Sequence, residues 1–183
     1  MIIDSTTIIL DGDPILRQKA EKVALPLSEE DRNTLTDMIE YVRNSHDADF
    51  CKEHNVRASV GIAAPQIAVS KQMLAISIMD EDGDIEFALV NPKIISNSTQ
   101  KAYLENGESC LSVVPDREGY VPRYAKITVR AYNMLTDRME DIRLTDYPAI
   151  VMQHEMDHLK GKLYYDHIDQ NDPWKEIPGS LVI

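Results

Sequence analysis

The sequence has few cysteines, a deficit of basic residues and no long apolar run. Its 183 residues include two cysteines, Cys51 and Cys110, which is too few for a disulfide framework. Lysine and arginine number 19 against 31 aspartates and glutamates, and the formal charge of −12 disfavours binding to a nucleic-acid backbone. No apolar stretch approaches the roughly 20 residues of a membrane span, and residues 1–4 lack the basic start of a signal peptide. We therefore expect a cytoplasmic protein with no membrane association and no nucleic-acid substrate.

The chain does contain enough apolar material for one sizeable core. Hydrophobic residues make up 43% of the sequence, and no repeat or low-complexity tract interrupts it. A chain of this length and composition predicts a single globular domain over residues 1–183. Runs of strands precede one strong helix without regular strand–helix alternation, which argues against a doubly wound parallel sheet. The predicted fold class is α+β, with mixed, mainly antiparallel strands packed around a central metal-binding helix.

Hydrophobic spacing predicts where the main elements lie. A helix capped by Ser28 is predicted to run to Asn44, because its apolar residues recur at helical spacing. A second helix is predicted from Thr145 or Asp146 to Gly161, a good left-handed C-cap. Residues 45–58 are polar without a regular period and predict a surface loop. Strands are predicted at 72–79, 85–90, 126–132, 139–144 and 162–168, with a turn at 82–83 and a break at 91–92.

The second helix carries the pattern Gln153-His154-Glu155-Met156-Asp157-His158. Four helical residues rise about 6 Å and turn about 40° beyond one full turn, so His154 and His158 face the same side and can bind one ion. Glu155 then lies close to the open side of that ion. The pattern indicates a metal site with a carboxylate placed for proton transfer, although two core or solvated histidines would give the same spacing.

Two imidazoles leave a third metal ligand to be found. A thermolysin-like peptidase would supply a downstream glutamate, and a metzincin would supply a third histidine. Glu176 lies in a proline-flanked tail, and His167 follows His158 by nine residues, which is not the metzincin spacing. Upstream, Cys110 offers one thiol in a compact polar turn. A small zincin-type metallopeptidase that cleaves internal peptide bonds stays open as an alternative.

Three separated blocks of the sequence, in order, resemble the peptide deformylase family. Residues 59–66 read SVGIAAPQ and resemble the family's GxGxAAxQ block, residues 108–112 read ESCLS and resemble its EGCLS block, and residues 153–158 resemble its QHExDH block. The similarity extends over nearly the whole chain. The polar insertion before the first block and the short tail resemble the type 2 bacterial subclass.

The resemblance implies a metal-dependent hydrolase that removes the N-formyl group from the N-terminal formylmethionine of newly made proteins and releases formate. It implies that Cys110, His154 and His158 bind the ion. The implied ion is Fe²⁺, while Zn²⁺, Ni²⁺ or Co²⁺ suits the same ligands and can occupy them in purified protein. The expected partners are N-formylmethionyl nascent peptides, with transient contact to the ribosome.

The resemblance also assigns roles to residues around the ion. Glu155 is expected to take a proton from the attacking water and return it to the leaving amine. The side-chain amide of Gln66 and the backbone N–H of Leu111 are expected to stabilise the negative oxygen. The peptide backbone is expected to pair, as an added strand, with Val60, Gly61 and Ser109. The pocket for the methionine side chain is expected to be lined by Tyr147, Ile150, Val151 and His154.

Two positions depart from the family pattern. Ser59 replaces the opening glycine of the first block, and Ser109 replaces the glycine before Cys110. A serine adds a Cβ and a hydroxyl where the family leaves the backbone bare, so peptide affinity is the property most open to change. The departures prompt a second alternative, an inactive metal-bound binding module. Outside the site, Glu108 and Arg123 are expected to form a supporting ion pair.

Overall fold

A computed structural model describes residues 2–183 and contains helices and strands in mixed order. Its α-helices are α1 (Glu29–Asn44), α2 (Ala48–His54) and α3 (Asp146–His158). Its strands are β1 (Gly61–Ala63), β2 (Met73–Ile78), β3 (Ile85–Asn97), β4 (Lys101–Tyr103), β5 (Arg123–Tyr124), β6 (Lys126–Asn133), β7 (Arg138–Thr145) and β8 (Leu181–Val182). Within the described residues, none of the helices combines the length and the apolar character that crossing a bilayer requires.

The strands form two sheets around helix α3. The larger sheet has the order β1-β2-β3-β6-β7 with every neighbouring pair antiparallel, and the smaller has the order β5-β4-β8. Only the β4–β8 pair of the smaller sheet is parallel. Helix α3 contacts strands of both sheets. The predicted α+β class, with mainly antiparallel strands around a central helix, is confirmed.

Helix α1 covers one part of the larger sheet and bears out its predicted bounds. The Ser28 hydroxyl oxygen accepts the Asp31 N–H at 3.1 Å and thereby caps the first turn. Its apolar stripe is buried against β2 and neighbouring elements, with Leu35, Met38, Ile39 and Val42 all at most 2% exposed. Helix α3 buries Ala149, Met152 and Met156 in a second core cluster with β2, β6 and β7. Helices α1 and α3 therefore cover opposite faces of strand β2, whose residues alternate between the two clusters.

The predicted loop at residues 45–58 is wrong, because helix α2 occupies Ala48–His54. The helix is fixed by its caps: the Asp47 carboxylate accepts the N–H groups of Asp49 and Phe50, and Asn55 ends it in the left-handed conformation. No residue of the helix is fully buried. Phe50 and Cys51 pack partly buried against the core, but two adjacent apolar residues give the helix no hydrophobic period to detect.

Strand β3 is longer than predicted, because Asn91 does not end it. Asn91 has a φ of 51°, and the pairing with β6 shifts register between Val90 and Lys93, as in a β-bulge. The Asn91 side chain fixes this irregular position: it accepts the Val23 N–H at 2.9 Å and donates to the Val23 carbonyl at 2.8 Å. The strands predicted at 72–79, 126–132 and 139–144 are confirmed as β2, β6 and β7.

The strand predicted at 162–168 is wrong. Tyr164–His167 form a 3₁₀ turn, in which the Asp166 carboxylate accepts the Leu163 N–H at 3.0 Å. The preceding helix α3 ends at His158, short of Gly161, although Gly161 does adopt the left-handed conformation with a φ of 70°. The turn places the Tyr164 ring in a stack on His154, with 5.8 Å between ring centroids.

Candidate metal centre

Helix α3 is held in place by a buried glutamine one residue before its first metal-site histidine. The Gln153 side-chain oxygen accepts the Tyr124 N–H at 2.9 Å, and its amide nitrogen donates to the carbonyls of Tyr124 and Ala149, both at 2.9 Å. One side chain thus satisfies two backbone groups of β5 and one of its own helix. These hydrogen bonds fix the position of α3 relative to β5.

The structure brings Cys110 of that loop onto the same spot as His154 and His158 of α3. The ligand atoms of these three residues all lie within 4.8 Å of one another. The Cys110 Sγ lies 3.4 Å from His158 Nε2, and His158 is 1% exposed. Neither of the other suggested third ligands, His167 and Glu176, belongs to the cluster.

The charges around the cluster favour a bound cation. Burial opposes ionisation of the Cys110 thiol, but the neighbouring histidines His158 and His154 hold its pKa well below the usual value. Burial also opposes protonation of His154, yet Cys110 and Glu108 raise the pKa of its imidazole well above the usual value. The first shift favours the Cys110 thiolate, and the second shows that the thiolate and the Glu108 carboxylate stabilise positive charge beside them. One soft thiolate and two imidazoles therefore fit a divalent transition-metal ion.

A carboxylate orients the first histidine. His154 Nδ1 lies 2.7 Å from Glu108 Oε1, which leaves Nε2 of the ring for the ion. The predicted Glu108–Arg123 ion pair is present and bidentate, with Arg123 Nε and Nη2 donating to the two carboxylate oxygens at 2.9 and 2.8 Å. The pKa of Glu108, which burial alone would raise, is lowered to about 2 by Arg123 and His154. Glu108 is thus a fixed negative charge behind the metal ligand.

The hydrogen-bond network of Glu108 and Arg123 extends to Asp157 and His167, whose contacts the sequence does not predict. Arg123 Nη1 donates to Asp157 Oδ2 at 2.5 Å, and His167 Nε2 lies 2.7 Å from the same oxygen. Arg123 is 3% exposed, and its pKa is raised by the two carboxylates despite burial. Asp157 lies inside the helix motif, so its position signals a buried role, but nothing in the spacing names Arg123 or His167 as its partner.

Glu155 is buried beside the cluster without a hydrogen-bond partner for one oxygen. Its Oε2 atom has none within the described residues, and burial raises the pKa of the carboxyl to about 6. The backbone of Gly61 passes directly over it: a Cβ at Gly61 would lie 2.6 Å from Glu155 Oε1. A carboxyl with this pKa gains and loses a proton near neutral pH, which general acid–base chemistry needs.

Gln66 and Leu111 both lie next to Cys110. Gln66 belongs to a 3₁₀ turn over Ala64–Ile67, is 1% exposed, and its side-chain oxygen accepts the Ala63 N–H at 2.9 Å. This bond points the amide nitrogen toward Ser112 Oγ at 3.1 Å and Cys110 Sγ at 3.5 Å. Leu111 follows Cys110 in the chain and lines the same cleft.

A cleft of about 300 Å³ opens onto the cluster, which is at the lower end of the range for small-ligand sites. Helix α3 contributes one apolar wall, formed by Tyr147, Ile150 and Val151 beside His154. The opposite rim carries Ser59, Val60 and Gly61, and the exposed Ser109 lies next to the thiol. All the residues expected to contact substrate therefore line one cleft. A set of three protein ligands, a buried carboxylate and an adjoining cleft define the class of mononuclear metallohydrolases.

Comparison with known proteins places the chain within that class. The family model described as polypeptide deformylase matches residues 5–174. The chain is 49% identical over 174 residues to peptide deformylase 2 of Bacillus anthracis, covering 94% of each chain. It is 45% identical over 183 residues to peptide deformylase 2 of Bacillus subtilis (strain 168), covering 100% of this chain and 99% of the relative. A crystal structure of a peptide deformylase from Legionella pneumophila matches with a TM-score of 0.68 and 31% identity, covering 91% of this chain and 87% of that one.

The chain therefore belongs to the polypeptide deformylase family, whose members are metal-dependent hydrolases that release formate from N-formylmethionyl polypeptides.

Proposed function

We propose that the chain hydrolyses the N-formyl amide of formylmethionyl peptides at the cluster of Cys110, His154 and His158. The observation that carries the proposal is the meeting of these three ligand atoms within 4.8 Å beside the unpaired Glu155 carboxylate. Cys110, His154 and His158 would hold the ion with three protein ligands and so leave a place on it for water, which is the property of a catalytic and not a structural site. The products would be formate and a peptide with a free amino terminus.

A divalent ion, when bound, supplies a water of lowered pKa and polarises the formyl carbonyl. Glu155 takes the proton of the attacking water, because its pKa of about 6 leaves the carboxylate mostly ionised yet able to hold a proton. It then returns this proton to the leaving amine. Glu108 holds the His154 ring so that Nε2 faces the reaction site.

Gln66 stabilises the oxygen that becomes negative as the water adds to the formyl carbon. Its amide nitrogen is aimed at the thiol side of the cleft because the Ala63 N–H fixes the amide oxygen. The Leu111 backbone N–H is the second proposed donor. Loss of one donor of this kind typically lowers the rate by about 10²–10³-fold.

The substrate would enter along the rim of β1. Its methionine side chain would lie against the α3 wall of Tyr147, Ile150 and Val151, and its backbone would pair with Val60, Gly61 and Ser109. Backbone pairing suits an enzyme that must accept many different nascent chains, because main-chain groups are common to all of them. The chain would act as one catalytic domain over residues 1–183, in the cytoplasm, on chains that emerge from the ribosome.

The proposed native ion is Fe²⁺. A thiolate with two imidazoles binds zinc, nickel and cobalt as well, so the ligand types alone do not distinguish these ions. Fe²⁺ on a thiolate that borders an open cleft is exposed to oxygen, and aerobic purification would exchange it for Zn²⁺ or Ni²⁺. Activity of anaerobically iron-loaded protein should therefore exceed that of zinc-loaded protein, and equal rates would contradict the assignment.

The test is formate release from formyl-Met-Ala-Ser by anaerobically purified, iron-loaded protein. The unformylated peptide and the Glu155→Ala variant serve as controls. Release that disappears in the variant, with its metal content unchanged, supports both the reaction and the role of Glu155. Cleavage of unformylated casein would instead identify a zincin-type endopeptidase, and no turnover of either substrate by metal-replete protein would identify a binding module.

A further inference from the structure

Strand β1 is an edge strand whose outer side faces the cleft. It pairs only with β2 in the larger sheet, and residues 59–61 line the cleft. The Val60 carbonyl accepts the Ser77 N–H at 3.0 Å, so the backbone groups of Val60 point toward the neighbouring strand β2. Because backbone groups alternate in direction along an antiparallel strand, the N–H and carbonyl of Gly61 point away from the sheet, into the cleft. An incoming peptide backbone would use these groups to add a strand.

The Ser59 side chain already forms hydrogen bonds with both the N–H and the carbonyl of Gly61. Its hydroxyl donates to the Gly61 carbonyl at 2.6 Å, and its oxygen lies 3.3 Å from the Gly61 nitrogen, which donates to it. One hydroxyl thus supplies the donor and the acceptor that a substrate backbone would supply. Where the family block has glycine, no side chain could do this.

The Ser59 backbone is itself held in place. The Ser59 N–H donates to the Ser45 hydroxyl oxygen at 3.0 Å, and that hydroxyl lies 3.0 Å from the Ser59 carbonyl. Ser45 is 1% exposed at the end of α1. Since the main chain is fixed from behind, the Ser59 hydroxyl can leave Gly61 only by rotation about its own side-chain bond.

We infer that Ser59 determines how strongly this enzyme binds peptide: its hydroxyl closes the Gly61 edge of β1 in the free protein and must turn away before a substrate backbone pairs there. The inference rests on the proposed function. A substrate backbone must replace the two neutral hydrogen bonds between the Ser59 hydroxyl and Gly61, which makes binding weaker than at an open edge and leaves the reacting groups unchanged. The effect therefore falls on KM and not on kcat.

The test compares three iron-loaded variants on formyl-Met-Ala-Ser. Ser59→Ala removes the hydroxyl and keeps the Cβ, and we expect KM to fall about three- to tenfold, the equivalent of one net hydrogen bond, with kcat within about twofold. Ser59→Thr retains a hydroxyl and should keep KM near that of the parent. Ser98→Ala is the matched control, because the Ser98 hydroxyl also donates to a carbonyl two residues on, that of Gln100, at 2.8 Å, but outside the cleft.

A second readout does not depend on turnover. Calorimetric binding of the product Met-Ala-Ser to zinc-loaded protein should tighten in Ser59→Ala by the same factor as KM falls. A KM that rises or stays constant in Ser59→Ala would overturn the inference, as would an equal change in Ser98→Ala. Absence of formate release from the parent protein would instead count against the proposed function, and the calorimetric comparison would still decide the role of Ser59.

Discussion

Gly61 and Glu155 lie so close that no side chain fits between them. A Cβ built on Gly61 would lie 2.6 Å from Glu155 Oε1 and 2.9 Å from its Cδ and Cγ. The contact joins the edge of the larger sheet to the helix that carries the metal site. The position of the Glu155 carboxylate is therefore set partly by the bare backbone of a strand to which it is not bonded.

We expect Gly61→Ala to lower kcat by about 100-fold, because displacing a reacting group by about an ångström has effects of this size. The fold should survive, since the added methyl meets the end of a flexible side chain and not backbone. The measurement is steady-state kinetics with a thermal melt. Gly83→Ala is the control: nothing lies within 4 Å of its Cβ, but its φ of 125° makes alanine strained, so it should lower the melting temperature and spare kcat. Equal kcat in the two variants would refute the explanation.

Arg123→Met should destabilise the protein by about 3–5 kcal/mol, the usual effect of removing one partner of a buried ion pair. The change leaves the Glu108 and Asp157 carboxylates buried without the Arg123 guanidinium, whose three nitrogens donate hydrogen bonds to them. Urea unfolding with equal metal loading provides the measurement. The control is Arg130→Met, which removes a bidentate but solvent-exposed pair with Asp141 and should leave stability nearly unchanged. A loss of the same size in both variants would contradict the prediction.

Cys110→Ala should lose the bound metal and the activity together, whereas Cys51→Ala should keep both. Cys110 contributes the thiol of the ligand cluster, while the Cys51 thiol only donates to the Ser45 carbonyl at 3.2 Å. Metal content by elemental analysis and formate release give the two readouts. Full metal occupancy in Cys110→Ala would show that this thiol is not a ligand.

The Asp31 carboxylate should contribute stability that depends on pH. Burial acts to raise its pKa, but Lys71 at 2.5 Å and the Ser28 hydroxyl at 2.8 Å lower it below the usual value. A lowered folded-state pKa means that the stabilisation is fully present above the unfolded value, about pH 4, and is lost as pH falls through the folded value. The stability difference between the parent and Asp31→Asn should therefore shrink when urea unfolding is moved from neutral pH to about pH 3. A difference independent of pH would rule out the carboxylate charge as its source.

Sequence patterns predict the helices and strands in which apolar residues recur regularly over many positions. Helix α1 and most of the larger sheet follow from apolar spacing, and the helix of His154 and His158 follows from its motif. Helix α2 is not predicted, because only the adjacent Phe50 and Cys51 pack against the core and the Asp47 cap fixes the start of the helix. The bulge at Asn91 is not predicted from the sequence, because the hydrogen bonds of the Asn91 side chain are made with the Val23 backbone, far away in the chain.

Some residues of the candidate site can likewise be predicted from local sequence motifs, and others cannot. His154, Glu155 and His158 stand in one compact motif whose spacing indicates a metal site, whereas Cys110 is assigned only by the family resemblance. The Arg123–Asp157–His167 arrangement joins a two-residue strand, a helix and a 3₁₀ turn, and no local period connects them. The Ser59–Gly61 contact is local, but only the strand direction reveals that it faces the cleft.

The two residues of strand β5 connect the segments that carry Cys110 and His154. Tyr124 binds the Gln153 amide and so positions α3, while Arg123 orients the Glu108 carboxylate behind His154. Cys110 and His154 are 44 positions apart, and β5 lies between them in the chain. The spacing of these two ligands therefore depends on contacts made by a third segment of the chain, and a change in β5 would disturb both ligands at once although neither belongs to that strand.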